Sequence, residues 1–285
     1  MRVGVAGLGL MGASFAGALR RARPDLDLIG HDVDPATLRQ AVAEGLVRPG
    51  DPGGADVVVL AAPIPALPGL LASLAGRPAV VTDMASTKAR VMAWAAEAGI
   101  DLVGGHPMCG RERTGIEAAD PTMFEGAPWV LTRDEPVVTD LVRSVGAVPV
   151  FMEATLHDWL VSGVSHAAFL VSSAFVLALA EDADWERMRR LAGPGFRDLS
   201  RLAGGDPELH AAIVSTNREA IARRLRSLEE ALARLRRLVE GGDERALVEQ
   251  LEAARRARDG WAEEREVRAR AGWSQVGGLR RAGDG

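Results

Sequence analysis

The start of the chain constrains the fold more than any other stretch. Val3-Gly4-Val5-Ala6 is a short apolar run of strand type, Gly7-Leu8-Gly9-Leu10-Met11-Gly12 follows without a spacer, and residues 13–21 have the periodicity of an amphipathic helix. Three glycines at a strand-to-helix turn serve three purposes. Gly7 makes the tight turn, Gly9 lets the backbone approach a pyrophosphate, and Gly12 lets helix and strand pack closely, with the helix N-terminus facing the phosphates. Leu8, Leu10 and Met11 fill the positions between them and complete the expected cofactor turn. A second strand, Leu28-Ile29-Gly30-His31, ends at Asp32, twenty residues after Gly12. An acid there accepts hydrogen bonds from an adenosine ribose and repels a 2'-phosphate. The pattern predicts a Rossmann-type dinucleotide site that takes NAD in preference to NADP.

The alternation continues with helices over 35–44, 66–75 and 87–98 and strands over 56–60, 79–82 and 102–103. Strands separated by helices of this length predict an α/β fold with a parallel, doubly wound sheet. Ligands bind such sheets at the carboxyl ends of the strands. The Gly7 turn, Asp32, Ala62-Pro63, residues 83–88 and His106 all fall at those ends, so they share one edge. A strand at 129–131, a helix over 135–145 and a last strand at 149–152 close an N-terminal domain of residues 1–152.

The segment Gly104-Gly105-His106-Pro107-Met108-Cys109-Gly110-Arg111-Glu112-Arg113 reads as a loop and as the centre of the chemistry. Its glycines and proline fix a backbone path around one imidazole, and an imidazole suits proton abstraction from a hydroxyl at neutral pH. Ser86 is placed to share that pocket, orienting the ring or meeting a substrate hydroxyl, and it also reads as the N-cap of the following helix.

From residue 153 the strand signals stop, and 153–271 reads as a helical domain followed by a loose tail over 272–285. Residues 161–180 carry no formal charge, but they include His166 and four serines, which favours a helix buried in protein over a membrane span. Burial on every side in so small a domain implies cover from a second subunit. Arg201 offers a planar fork to a carboxylate, although an ion pair with Asp198 is the plainer reading. Ile221, Leu225, Leu228, Leu232, Leu235 and Val239 form a heptad seam, Gly241-Gly242 breaks it, and a charged helix to 271 completes a hairpin.

Composition narrows the class. A formal charge of -5 argues against a nucleic-acid partner, and the single cysteine, Cys109, excludes an intrachain disulfide and fits a reducing cytoplasm. No signal peptide, membrane span or metal-ligand cluster is expected. Lys88 is the only lysine in the chain.

Taken together, Gly7 to Gly12, Asp83-Met84-Ala85-Ser86-Thr87-Lys88, the loop from Gly105-His106-Pro107-Met108 to Gly115, Val164-Ser165-His166, Phe196-Arg197-Asp198-Leu199-Ser200-Arg201 and Asp206-Pro207-Glu208-Leu209 resemble the prephenate and arogenate dehydrogenase family over nearly the full length. The resemblance implies an N-terminal Rossmann domain carrying NAD and a helical C-terminal domain that forms a homodimer and closes the active site. It implies oxidation of a cyclohexadienyl substrate at its ring hydroxyl carbon with loss of the ring carboxylate. His106 would accept the hydroxyl proton, Ser86 would assist, Arg201 would bind a carboxylate, and Glu112, Arg113 and His166 would line the pocket. Two positions depart from the family pattern. Phe169 stands where a second histidine is common, and Arg111-Glu112-Arg113-Thr114 replaces a Ser-Glu-Lys-Ser run. Prephenate, arogenate and an amino-substituted analogue therefore stay open as substrates, and a non-catalytic nucleotide sensor is the reading of another class. A β-hydroxyacid dehydrogenase, a family known for a lysine in its helical part, is the less favoured enzyme reading because no lysine follows Lys88.

Overall fold

A computed structural model describes residues 1–77, 79–110 and 114–271, with side chains to 266. The expectations for Arg111, Glu112, Arg113 and the 272–285 tail lie outside the described residues. Contacts divide the chain into two compact units, Met1–Ile221 and Ala222–Gly285.

The first unit is built on a parallel sheet of six strands, β1 (Arg2–Ala6), β2 (Asp27–His31), β3 (Arg48–Pro49), β4 (Val57–Leu60), β5 (Val80–Asp83) and β6 (Leu102–Val103), in the order β3-β2-β1-β4-β5-β6. The chain order reverses between β1 and β4, so the crevice at their carboxyl ends is the ligand-binding position of a doubly wound sheet. The apolar content of β4 shows why both faces are covered. Val57 and Val59 join the core around Phe15 and Leu19 of α1 (Leu10–Ala22), whereas Val58 and Leu60 join Leu67, Leu71, Val91 and Ala95. Successive side chains point to opposite faces, so a strand apolar at every position needs a helical layer on each side. One layer contains α1 and the other contains α3 (Leu67–Leu74) and α4 (Ala89–Glu97); α2 (Pro35–Ala43) joins β2 to β3.

The residues after β6 do not form a loop. Gly105–Pro107 is a short strand, β7, that pairs antiparallel with β8 (Pro128–Leu131), placing His106 opposite Val130. β8 in turn pairs in parallel with β9 (Val148–Phe151) across α5 (Pro136–Ser144), and the three strands make a second, mixed sheet. A three-residue strand held by a partner more than twenty positions away leaves no local period in the sequence.

The step between the sheets is fixed by one buried cluster. Lys88, wholly enclosed, donates from Nζ to the Asp83 carboxylate and to the Gly105 carbonyl, the latter at 2.6 Å. The other Asp83 oxygen accepts the Gly105 N–H at 2.9 Å. Gly105 has no room for a side chain, because a Cβ there would lie 2.4 Å from the Asp83 carbonyl oxygen.

Beyond β9, α6 (Ala154–Val161), a π-helical turn (Ser162–His166) and α7 (Ala167–Ala180) run in direct succession. They are followed by α8 (Trp185–Leu191), α9 (Pro194–Ser200), a turn at Arg201–Gly204 and α10 (Pro207–Thr216). The 161–180 segment is helical as expected, but its own chain does not enclose it. In the most apolar window of Ala154–Ala180 only 17% is buried, and Val164 is 78% exposed. The apolar residues run all round the helix, while α9 and the Arg201 turn pack against it within the chain. By length and composition this helix is also the one, among the described residues, able to cross a membrane.

The second unit comprises most of α11 (Arg218–Gly241) and α12 (Glu244–Ala271), separated at Gly242-Asp243, where Asp243 accepts the Ala246 N–H as a cap. Leu232 and Val239 of the heptad seam are exposed there.

Lys88→Met should be strongly destabilising, since it leaves the Asp83 carboxylate buried without its cation. The expected loss is about 3–5 kcal/mol, read as a lower urea midpoint by tryptophan fluorescence. A loss below about 1 kcal/mol would show that the pair behaves like a surface ion pair.

Candidate active site

The glycine turn has the geometry of a phosphate cradle. Gly7 has φ +94°, and a Cβ on it would come within 2.7 Å of the Ala61 carbonyl oxygen; one on Gly12 would lie 1.9 Å from the Gly7 oxygen. Both glycines are therefore demanded by close backbone packing. Gly9, the N-cap of α1, faces open space and provides no side-chain cap, and the first turn of that helix holds no acid. An uncapped helix N-terminus at the carboxyl edge of a parallel sheet fits a pyrophosphate. Leu8 is buried beneath the turn, Leu10 and Met11 are half-buried, and the Ala62 backbone packs against Gly7 with Pro63 exposed beyond it. Half-buried Asp32 holds the turn from the far side, accepting from Leu8 N at 2.7 Å and Asp34 N at 2.9 Å. Each carboxylate oxygen retains acceptor capacity for a ribose hydroxyl.

His106 lies in a buried polar cluster that includes residues from α6 and the π turn. Its Nδ1 is 2.8 Å from Nε2 of His157, and His157 Nδ1 is 2.8 Å from Oδ1 of Asp158. The two rings meet edge to face with centroids 5.0 Å apart. Asp158 also accepts from the backbone N–H groups of Lys88 at 2.7 Å and Ala89 at 2.9 Å. It therefore caps α4 from another helix and takes the place expected for Ser86. The cap position itself is Lys88, whose side chain makes no bond to the helix N-terminus. Asn217 completes the cluster, donating to the Asp158 carbonyl at 2.8 Å and lying 3.2 Å from His166 Nδ1.

Burial, reinforced by His157, Lys88 and His166, holds the pKa of His106 well below the ordinary imidazole value. His166 is brought down to about 4, chiefly by burial; the nearby Asp158 carboxylate and Ser86 backbone oppose the shift without cancelling it, and its Nε2 has no hydrogen bond of good geometry. Both rings are neutral at pH 7. A neutral imidazole just past the carboxyl end of β6, in a chain whose β1 carries a dinucleotide-type turn at the same end of the sheet, is equipped to accept a proton. Burial also raises the Cys109 thiol to about 12, as befits a packing residue.

The structure brings His106 and His166 into one cluster, with half-buried Ser86 on the segment between β5 and α4. The partner on His106 Nδ1 is His157, not Ser86. Arg201 is exposed on the turn after α9, and Ser172 pins that turn to α7 by donating to Leu199 O at 2.7 Å and accepting from Ala203 N at 3.0 Å. Asp198, the expected ion-pair partner of Arg201, accepts from Arg197 at 3.2 Å. Phe169 stacks on His210, centroids 3.4 Å apart. His157, Asp158 and Asn217 were not singled out from sequence. The available signal was a charged and titratable pair set between Leu156 and Trp159-Leu160-Val161.

Comparison with known proteins identifies the family of the fold. The family profile described as prephenate dehydrogenase, nucleotide-binding domain, matches residues 15–150, and the prephenate dehydrogenase dimerization domain matches residues 153–253. The crystal structure of Synechocystis arogenate dehydrogenase superposes with a TM-score of 0.79 at 32% identity, covering 92% of this chain and 100% of that one. Prephenate dehydrogenase from A. aeolicus, in complex with hydroxyphenyl propionate and NAD+, gives a TM-score of 0.86 at 28% identity over 91% of this chain and 98% of its own. Prephenate dehydrogenase of Lactococcus lactis is 28% identical over 269 residues, 89% of this chain and 75% of the relative. With both domains matched in order over a Rossmann-type sheet and a helical second half, the chain belongs to the prephenate dehydrogenase family.

Proposed function

We propose that this protein catalyses the NAD-dependent oxidative decarboxylation of prephenate to 4-hydroxyphenylpyruvate, acting as a homodimer. The observation that carries the reading is the neutral, buried His106 at the edge that also bears the uncapped glycine turn. The A. aeolicus relative, solved with NAD+, supports the choice of cofactor, and the half-buried Asp32 carboxylate favours it over a 2'-phosphorylated one. Gly7, Gly9 and Gly12 with the N-terminus of α1 would hold the pyrophosphate, and Asp32 the ribose. Bound NAD supplies the hydride acceptor.

The remaining work falls to the chain's own side chains. His106 takes the ring hydroxyl proton at Nε2, Ser86 hydrogen-bonds the same hydroxyl, and Arg201 binds a carboxylate with its planar fork. Neutral His166 lines the pocket as a hydrogen-bonding group. Glu112 and Arg113 belong to the pocket on the family resemblance. Loss of carbon dioxide aromatises the ring, so positioning a dianion is the main demand on the protein. Arogenate is the second reading, favoured by the likeness to the Synechocystis enzyme and by Phe169, an apolar ring stacked on His210 where the family often has a histidine.

Purified protein with NAD should form NADH, followed by absorbance, with prephenate or arogenate, and the ratio of kcat/KM values decides between them. His106→Asn should lower kcat by roughly 10²- to 10⁴-fold with NAD binding kept, whereas Arg201→Gln should mainly raise KM. Near wild-type turnover in His106→Asn would exclude it as the base.

The pH dependence has a definite sign. Burial, His157, Lys88 and His166 all disfavour the His106 cation, so the ring stays neutral to a lower pH than a free imidazole, whose pKa is about 6.5. The acid limb of kcat/KM should therefore fall below that value. A limb at or above it would contradict a buried neutral base. Light scattering at micromolar concentration should give twice the chain mass, and a monomeric mass would remove the dimer.

A further inference from the structure

The proton-acceptor role of His106 depends on which ring nitrogen carries hydrogen, and the buried contacts around it decide that. Asp158 can only accept from its neighbours. Its Oδ1 already takes the Lys88 N–H and its Oδ2 the Ala89 N–H, both at the N-terminus of α4. The hydrogen in the 2.8 Å contact between His157 and Asp158 therefore sits on His157 Nδ1. His157 is fully enclosed, and in its neutral form a hydrogen on Nδ1 leaves a lone pair on Nε2. That lone pair faces His106 Nδ1 at 2.8 Å, so the hydrogen in this second contact sits on His106. The consequence at the far side of the ring is a free lone pair on His106 Nε2.

We propose that His157 and Asp158 are positioning residues for proton abstraction, fixing His106 in the tautomer whose Nε2 accepts the substrate proton and holding its Nδ1 hydrogen while the ring is cationic. No proton has to leave the chain. His106 gains one at Nε2, keeps one at Nδ1, and the bond to His157 becomes charge-assisted. Asp158 anchors the sequence from a point that cannot drift, because its carboxylate is tied to α4 and its carbonyl accepts from Asn217 at 2.8 Å. The inference rests on the proposed base role of His106, but its central claim, the tautomer, can be read without substrate.

Nitrogen NMR of protein labelled at its five histidines tests it directly at pH 7. His106 should show a protonated Nδ1 and an unprotonated Nε2, and a protonated Nε2 in the wild type would overturn the proposal. In His157→Phe the two forms should mix, and kcat should fall by roughly 10- to 100-fold, in the range found when partners orienting a functional histidine are removed. KM, NAD binding and melting temperature should stay near wild type. His157→Gln, whose amide can accept from His106 and donate to Asp158, should recover most of the rate. Loss of KM and melting temperature together with kcat, without rescue by glutamine, would reduce His157 to a structural role and overturn the proposal. If the tautomer is as stated but the wild type oxidises neither prephenate nor arogenate, the proposed substrate fails while the positioning chain stands.

Discussion

The buried contact between Lys88, Asp83 and the Gly105 carbonyl is the constraint on which the site depends. An ammonium and a carboxylate with no exposure lose the hydration of both charges, and only close pairing with full hydrogen bonding compensates. Here the Asp83 carboxylate takes the Lys88 ammonium and the N–H groups of Ala85 and Gly105, while Lys88 also holds the Gly105 carbonyl. Both the N–H and the C=O of Gly105 are thereby clamped one residue before His106. A strand of three residues has too few ladder bonds to fix itself. The ion pair does what strand length cannot, setting where the chain leaves the parallel sheet and hence where the imidazole stands.

Asp158 is the counterpart of that clamp on the helical side. The first N–H groups of a helix are normally satisfied by a local side chain, but α4 has none at its cap and receives a carboxylate from α6, some seventy positions along the chain. Thr87 meets Thr216 at 2.9 Å, and Asn217 holds the Asp158 carbonyl. The segment that carries Ser86 and Lys88 is thus completed only when the helices after β9 are docked. The sheet edge and the histidine cluster share the same contacts, and a dinucleotide-type sheet with α6 removed would expose the start of α4.

What the sequence disclosed, and what it withheld, follows the range of the interactions. The Gly7 to Gly12 turn was legible because the close approach of Gly7 and Gly12 is local, and Asp32 because its place at the end of the second strand belongs to the same recurrent pattern, although its bond to Leu8 N spans 24 positions. Both faces of the sheet were legible from β4, which is apolar at every position. The strand character of Gly105–Pro107 was not, since its partner is β8, and two glycines with a proline read as a loop in isolation. Ser86 looked like a cap because serine commonly is one; the competing carboxylate of Asp158 lies too far along the chain to be weighed. His157 and Asp158 were hidden for the same reason, their partners being 51 and 70 positions away. The helix over 161–180 was recognised, yet a composition apolar all round says that cover is needed without saying whose. The family's dimerization domain spans that helix, which agrees with cover from a second copy.

A base kept neutral by burial among Lys88, His157 and His166 raises a question of its own, because the same surroundings oppose the cation it must become. The answer lies in the charge of the proposed substrate. Prephenate is a dianion, and a carboxylate brought close to His106 would favour its protonated form, opposing the effect of burial and of Lys88. With prephenate as the proposed substrate, the cost of charging the ring is present in the free enzyme and would be offset when substrate binds, so the interaction would strengthen as the proton moves. Stabilisation that grows along the reaction lowers the barrier, whereas stabilisation already complete in the resting state does not. On this argument the electrostatic setting of the proposed base would favour a charged substrate over solvent, while Lys88 stays beside it for a separate reason, the clamping of Gly105 to Asp83.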